Sequence, residues 1–158
     1  MYNKLKSVTI ATPFFNEELA LDNYFYVLKK IKFLLDNKII VKYLFIDDGS
    51  QDNTKSKLTM FKDQNPNYDI KIFSHKKNMG YGKTLKNSIL LSNTDYLITY
   101  DADCTYDHNI IDNLITNIDK YNYDIINVSY KLSKKNMDVS SLRRLLSWGS
   151  FLIYKIIF

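Results

Sequence analysis

A chain of 158 residues with 46% hydrophobic and 25% charged residues has the length and composition of one ordinary globular domain, which excludes a disordered chain. Its formal net charge of +5 and pI of about 9.1 suit an anionic partner such as a nucleotide, a phosphate or an acidic lipid surface. No dense Lys/Arg block interleaved with aromatics marks a nucleic-acid groove, and the lone Cys104 excludes an internal disulfide or a thiolate metal site.

The N-terminal residues Met1 to Ser7 are polar, without the charged-then-apolar pattern of a signal peptide. Val8 to Phe15 predicts a first strand, closed by Pro13 and Asn16. From Glu17 to Asn37 the apolar positions Leu21, Phe25, Leu28, Ile31 and Leu35 trace the stripe of an amphipathic helix. Ile39 to Ile46 predicts a second strand, ended by the turn residues Asp47-Asp48-Gly49-Ser50. A polar helix from Asn53 to Lys62 follows, with Asp52 or Asn53 as its cap.

Tyr68 to Ser74 predicts a third strand, Asn78 to Gly82 a glycine-containing loop and Lys83 to Ser92 a short helix. Asp95 to Tyr100 predicts a fourth strand running into Asp101. Ile111, Leu114, Ile115 and Ile118 place a helix over Asn109 to Tyr121. Asp124 to Tyr130 predicts a fifth strand. From Ser141 a last amphipathic helix (141–158) carries Leu142, Leu145, Leu146, Leu152, Ile153 and Ile156 on one face, beside Arg143, Arg144 and Lys155. Such a helix either lies in a membrane interface or packs its apolar face on the domain. No stretch approaches the roughly 20 apolar residues of a spanning helix.

This alternation predicts an α/β fold in three layers, α/β/α, around a Rossmann-like, mainly parallel sheet in one domain (1–158). Ligands of such sheets sit beyond the carboxyl ends of the strands, where this chain collects its unusual residues. Two carboxylates in Asp101-Ala102-Asp103, at the end of an apolar strand, suit a hard divalent cation, Mg²⁺ or Mn²⁺, shared with substrate phosphates. The same pair equally serves as turn or capping carboxylates. In Asp47-Asp48-Gly49-Ser50, one carboxylate, Asp48, suits the N–H edge of a nucleobase, while the turn also supplies a positive φ and a helix cap. Asn78-Met79-Gly80, with Gly82 and Lys83, offers amides and a cation to phosphate but lacks P-loop spacing. His75 at a strand end and His108 beyond the acidic motif read as structural or solvated residues.

Taken in order, Pro13-x-x-Asn16-Glu17, Asp47-Asp48-Gly49-Ser50-x-Asp52-x-Thr54, Asn78-x-Gly80 and Asp101-Ala102-Asp103 resemble the motifs of the family 2 glycosyltransferases. Within that family the resemblance is strongest to dolichyl-phosphate mannosyltransferases and other polyprenyl-phosphate glycosyltransferases, through Leu142-Arg143-Arg144-Leu145-Leu146-Ser147-Trp148-Gly149. It implies a GT-A fold and inverting, metal-dependent transfer of a hexose from a nucleotide-diphosphate sugar (GDP-mannose or a UDP-sugar) to a polyprenyl phosphate. It assigns Pro13, Phe15, Glu17, Ile46 and Asp48 to the nucleotide, and Asp101, Ala102 and Asp103 to the diphosphate. Asp101, Asp103 and Thr105 would hold the metal, and Asp103 and Arg144 would be catalytic. The chain departs from the pattern at Thr105, where the family commonly has Gln, and at Val128-Ser129-Tyr130, where Gly-Ser-Arg is usual. The alternatives are transfer to a glycan or protein hydroxyl and a truncated, inactive nucleotide-sugar-binding domain. A lipid acceptor implies a cytoplasmic protein held peripherally on the membrane.

Overall fold

The computed structural model describes residues 7–36, 38–121 and 123–128. The chain divides into two compact units at Asn127–Val128, and the architecture below is that of the first. Four strands, β1 (Ser7–Phe14), β2 (Ile40–Asp47), β3 (Asp69–Ser74) and β4 (Tyr96–Thr99), form one parallel sheet in the order β3-β2-β1-β4. The helices between and after them are α1 (Leu21–Leu35), α2 (Thr54–Gln64), α3 (Tyr81–Leu91) and α4 (Asn109–Tyr121).

The strands are sorted by alternation. Val8, Ile10 and Phe14 of β1, with Tyr43 and Phe45 of β2, join a large core with Tyr24 and Leu28 of α1, Leu58 and Phe61 of α2, and Ile111 and Ile115 of α4. The alternate residues Ala11, Leu44 and Ile46 form a smaller core with Phe73, Leu97 and, from α3, Leu91. Helices α1 and α2 therefore cover one face as the chain steps from β1 through β2 to β3. Helix α3 covers the other as the chain crosses back to β4. A reversal of direction at constant crossover hand requires that change of face. It also puts the switch point between β1 and β4, where a crevice opens beyond the strand ends.

Helix α4 has the predicted bounds, and each strand lies within one residue of its prediction at most ends. Helix α1 begins four residues later than Glu17, and its buried stripe uses Tyr24 in place of Phe25. The Tyr24 hydroxyl donates to Thr12 Oγ1 at 2.8 Å, and its ring meets Phe14 and Phe45 edge to face. Phe25 instead stacks on Phe61 at 4.0 Å. The predicted fifth strand is corrected: residues 124–128 carry no strand, Ile125 is exposed, and the Tyr123 carbonyl accepts from the Tyr96 hydroxyl of β4 instead of joining a ladder. Strand propensity without a paired edge does not make a strand. Tyr130, Arg143, Arg144 and the helix over 141–158 lie outside the described residues.

Candidate active site at the strand ends

Parallel pairing brings the carboxyl ends of β1, β2 and β3 level: Phe14 lies opposite Asp47, and Asp47 opposite Ser74. Three consecutive loops thus start from one edge, and side chains from each tie to the next. Asn16, at φ 55°, donates its N–H to Ser50 Oγ and accepts from the Gln51 N–H. The Glu17 N–H donates to Thr54 Oγ1 and the Glu18 N–H to Asp52 Oδ2, while Glu18 accepts from Asn53. These cross-loop bonds hold residues 17–20 in a turn, which delays the start of α1. Asp52 also accepts from the Thr54 N–H and so caps α2; the Asn53 side chain makes no capping bond.

The two acids at the end of β2 face inward. Asp47, 1% exposed, accepts from the Ser50 N–H and closes the turn. Asp48, 5% exposed, accepts from the N–H groups of Met79 and Gly80, both at 2.9 Å, and from His75 Nδ1. Burial works to raise the Asp48 pKa, but those three donors outweigh it and hold the carboxyl below its usual range. Gly49, at φ +74°, packs so closely on the next loop that a Cβ would lie 2.4 Å from the Lys77 carbonyl carbon. The wall so formed lines a cleft of about 360 Å³ with Phe15, Gln51, Lys55, His75, Lys76, Lys77 and Asn78 along it. Phe15 presents 42% of its surface, an aromatic platform at the mouth.

The turn after β4 is built differently. Tyr100 N–H continues the sheet onto the Ala11 carbonyl, and Ala102 packs into the large core at 4% exposure. Burying Ala102 turns Asp101 and Asp103, the residues on either side of it, to the surface. The Thr105 N–H donates to Asp103 Oδ1 at 2.9 Å, fixing that carboxylate over a bend in which Cys104 takes φ 53°. Partial burial and then the Asp103 charge raise the Asp101 pKa. Burial, then Asp103 and Asp52, likewise raise that of Glu17. The Asp103 charge thus acts on both Asp101 and Glu17, across two strand ends.

Among the described residues no group of three or more His, Cys, Asp or Glu side chains forms a metal site. The donor set at this turn nonetheless fits one kind of ion. Two exposed carboxylates, one of them raised by partial burial and by the charge of the other, suit a hard divalent cation that takes its other ligands from water and a substrate phosphate. Asp101 and Asp103 would hold it, with Thr105 beside them.

Of the other expected residues, Pro13 lies in the strand opposite Ile46. Ile46 is fully buried in the smaller core, so only its backbone is available to a ligand. His75, Gln51, Lys55, Lys76 and Lys77 were not among the expected site residues. Their only sequence signal was position: His75, Lys76 and Lys77 directly follow β3, and Gln51 and Lys55 lie between the end of β2 and the first turn of α2. No helix among the described residues is long and apolar enough to cross a membrane.

A parallel α/β/α arrangement with acidic clusters at the β1, β2 and β4 ends is the GT-A type of nucleotide-diphospho-sugar transferase fold. The chain belongs to glycosyl transferase family 2, whose profile matches residues 9–157. A dolichyl-phosphate beta-glucosyltransferase of Dictyostelium discoideum is 29% identical over 127 residues, 75% of this chain and 38% of the relative. An uncharacterized glycosyltransferase of Mycoplasma pneumoniae is 30% identical over 92 residues, 57% of this chain and 30% of the relative. The chain therefore spans little more than a third, at most, of the length of these curated relatives. Among solved structures, Staphylococcus aureus TarS 1-349 superposes with a TM-score of 0.61 at 15% identity, over 82% of this chain and 40% of that one. A mannosyltransferase from Pyrobaculum calidifontis, in complex with GDP-Man and Mn²⁺, gives 0.54 at 18% identity, over 61% and 27%. Glucosyl-3-phosphoglycerate synthase from Mycobacterium tuberculosis, with Mn²⁺, UDP and glucosyl-3-phosphoglycerate, gives 0.55 at 16%, over 72% and 40%.

Proposed function

We propose that this chain is the donor-binding part of an inverting glycosyltransferase that moves a hexose from a nucleotide-diphosphate sugar to a polyprenyl phosphate. The observation that carries the reading is the gathering at one sheet edge of a cleft with an aromatic mouth and a turn with paired, mutually repelling carboxylates. A nucleotide-diphosphate sugar has the complementary parts: a flat base for the cleft and a diphosphate for the cation site. The relative from Dictyostelium, by its name, favours the lipid phosphate as acceptor. A membrane-bound acceptor in turn places the protein peripherally on the cytoplasmic face.

In this reading Phe15 offers its ring to the base, and Pro13, Glu17 and the Ile46 backbone belong to the same nucleotide site. Asp48 supports that site by fixing the amides of Met79 and Gly80. Asp101 and Asp103 hold Mg²⁺ or Mn²⁺, which when bound offsets the charge developing on the departing diphosphate. The Thr105 N–H holds the Asp103 carboxylate in place. An oxygen of the acceptor phosphate attacks the anomeric carbon opposite the leaving group. One C–O bond forms as the bond to the diphosphate breaks, and the configuration inverts. The acceptor oxygen is already anionic near neutral pH, so the step requires no general base. Arg144, and Arg143 beside it, would meet donor or acceptor phosphate.

The purified chain with Mn²⁺, a short polyprenyl phosphate and radiolabelled UDP-glucose or GDP-mannose should give label extractable into organic solvent. Donor binding or hydrolysis without lipid-linked product would overturn the acceptor assignment.

A further inference from the structure

We propose that His75 is the positioning residue of the nucleotide cleft, a neutral imidazole that sets the Asp48 carboxylate and through it the wall against which the base lies. The inference rests on the donor-binding reading above and extends it to a residue that touches the wall from behind as well as lining it.

His75 directly follows β3, and its own N–H donates to the Asp47 carbonyl at 2.9 Å, so the backbone is held by an extension of the β2–β3 ladder. The ring is nearly enclosed, with 7% of the side chain exposed, and stands edge-on to Phe73 at 5.3 Å. Both ring nitrogens are used. Nδ1 meets Asp48 Oδ1, and Nε2 lies 2.7 Å from Asn87 Nδ2 on α3. An ionised carboxylate only accepts, so Nδ1 carries the proton. The Asn87 amide N–H then donates to Nε2, which in the neutral ring is an acceptor. The ring thereby links the end of β2 to the second turn of α3, elements separated by 27 residues on one side and 12 on the other.

The consequence falls on the loop between them. With Oδ1 directed by His75, the Asp48 carboxylate receives the Met79 and Gly80 N–H groups, the latter on Oδ2. Those bonds fix the backbone from Lys77 to Gly80, which Gly49 meets at van der Waals distance. Asp47, Gly49, Ser50, Lys77 and Asn78, on the two sides of that contact, all line the cleft. Without the ring, Asp48 would keep two backbone donors but lose the one that selects its rotamer, and the wall would be free to shift. A misplaced wall weakens binding of the base and leaves the reacting end untouched, since Asp101 and Asp103 belong to the β4 turn.

The test compares the full chain with His75→Asn, His75→Gln and His75→Ala in titrations with UDP and GDP. Asparagine puts an amide nitrogen near the place of Nδ1, whereas glutamine reaches toward that of Nε2. His75→Asn should therefore bind the preferred nucleotide within about threefold of the parent, and His75→Gln and His75→Ala should bind at least roughly tenfold more weakly, the loss expected of a hydrogen bond to a charged group. In donor turnover the loss should appear in KM with kcat little changed, a split that a general loss of stability would not give. In the parent chain the ¹⁵N shifts of His75 should show protonated Nδ1 and unprotonated Nε2, a readout that stands even if His75→Ala fails to fold. Parent-like binding by His75→Gln or His75→Ala would overturn the proposal, as would a protonated Nε2. A parent chain that binds neither UDP nor GDP would overturn the donor-binding reading itself.

Discussion

The two halves of the site solve opposite problems. The wall formed by the loops after β1, β2 and β3 is finished before any ligand arrives: Asp47 and Asp48 are buried, each with protein donors, and the Asp48 carboxyl is held below its usual pKa. The turn after β4 is left incomplete: Asp101 and Asp103 are exposed, and Asp101, like Glu17 at the β1 end, is raised first by burial and then by Asp103. Low-pKa carboxylates stabilise the folded chain, whereas carboxylates raised by burial and a like charge detract from it. One region is thus built for shape and the other for charge.

Substitutions should separate the two regions by the sign of their effect. Gly49→Ala should do the most damage, because its positive φ and the 2.4 Å approach to Lys77 backbone act together. A loss of at least about 2 kcal/mol in urea unfolding is expected from backbone strain of this kind. Asp48→Asn should cost about 1–3 kcal/mol, since an amide cannot accept on both arms and turns its NH2 toward either the Gly80 N–H or the Met79 N–H and His75 Nδ1. Asp101→Asn should go the other way, with unfolding unchanged or up to about 0.5 kcal/mol more favourable to the fold without added metal, as relief of exposed charge repulsion is small. A destabilised Asp101→Asn would show that the β4 turn is a structural cap.

The pH dependence follows the same division. The Asp48 contribution is fully present above the unfolded carboxyl pKa of about 3.9 and is lost as pH falls through the lower folded value. For Asp101 and Glu17 the penalty is present above their raised folded values and vanishes as pH falls below the unfolded ones. Acid unfolding of Asp48→Asn should accordingly lose part of its dependence below about pH 4, while Asp101→Asn should be less destabilised than the parent as pH rises from 4 to 7.

The sheet was legible because each strand is a compact run of β-branched and aromatic residues ended by turn chemistry. The α4 helix was legible because Ile111, Ile115 and Ile118 fall on one face. What could not be read depends on partners distant in the chain. The delayed start of α1 comes from Thr54 and Asp52, more than thirty residues on. Tyr24 displaces Phe25 from the stripe because Thr12 supplies its hydroxyl with a partner. At the site, the acidic residues were evident as types, but their orientation was not. Asp48 and Asp101 have the same side chain at two strand ends, and only the neighbouring loops decide that one faces inward and the other outward. His75 showed nothing but its position; its role lies in Asp48 and Asn87, which the fold brings to its two nitrogens.

The central claim, that the β4 turn is the cation-dependent end of a nucleotide-diphosphate site, is tested most directly by calorimetric titration of UDP and GDP with and without Mn²⁺. One nucleotide should bind the parent chain more tightly with Mn²⁺ by about tenfold or more, with Asp101→Asn and Asp103→Asn losing that enhancement but keeping the metal-free affinity. Equal affinity with and without Mn²⁺ in the parent, or an enhancement that survives both substitutions, would contradict it.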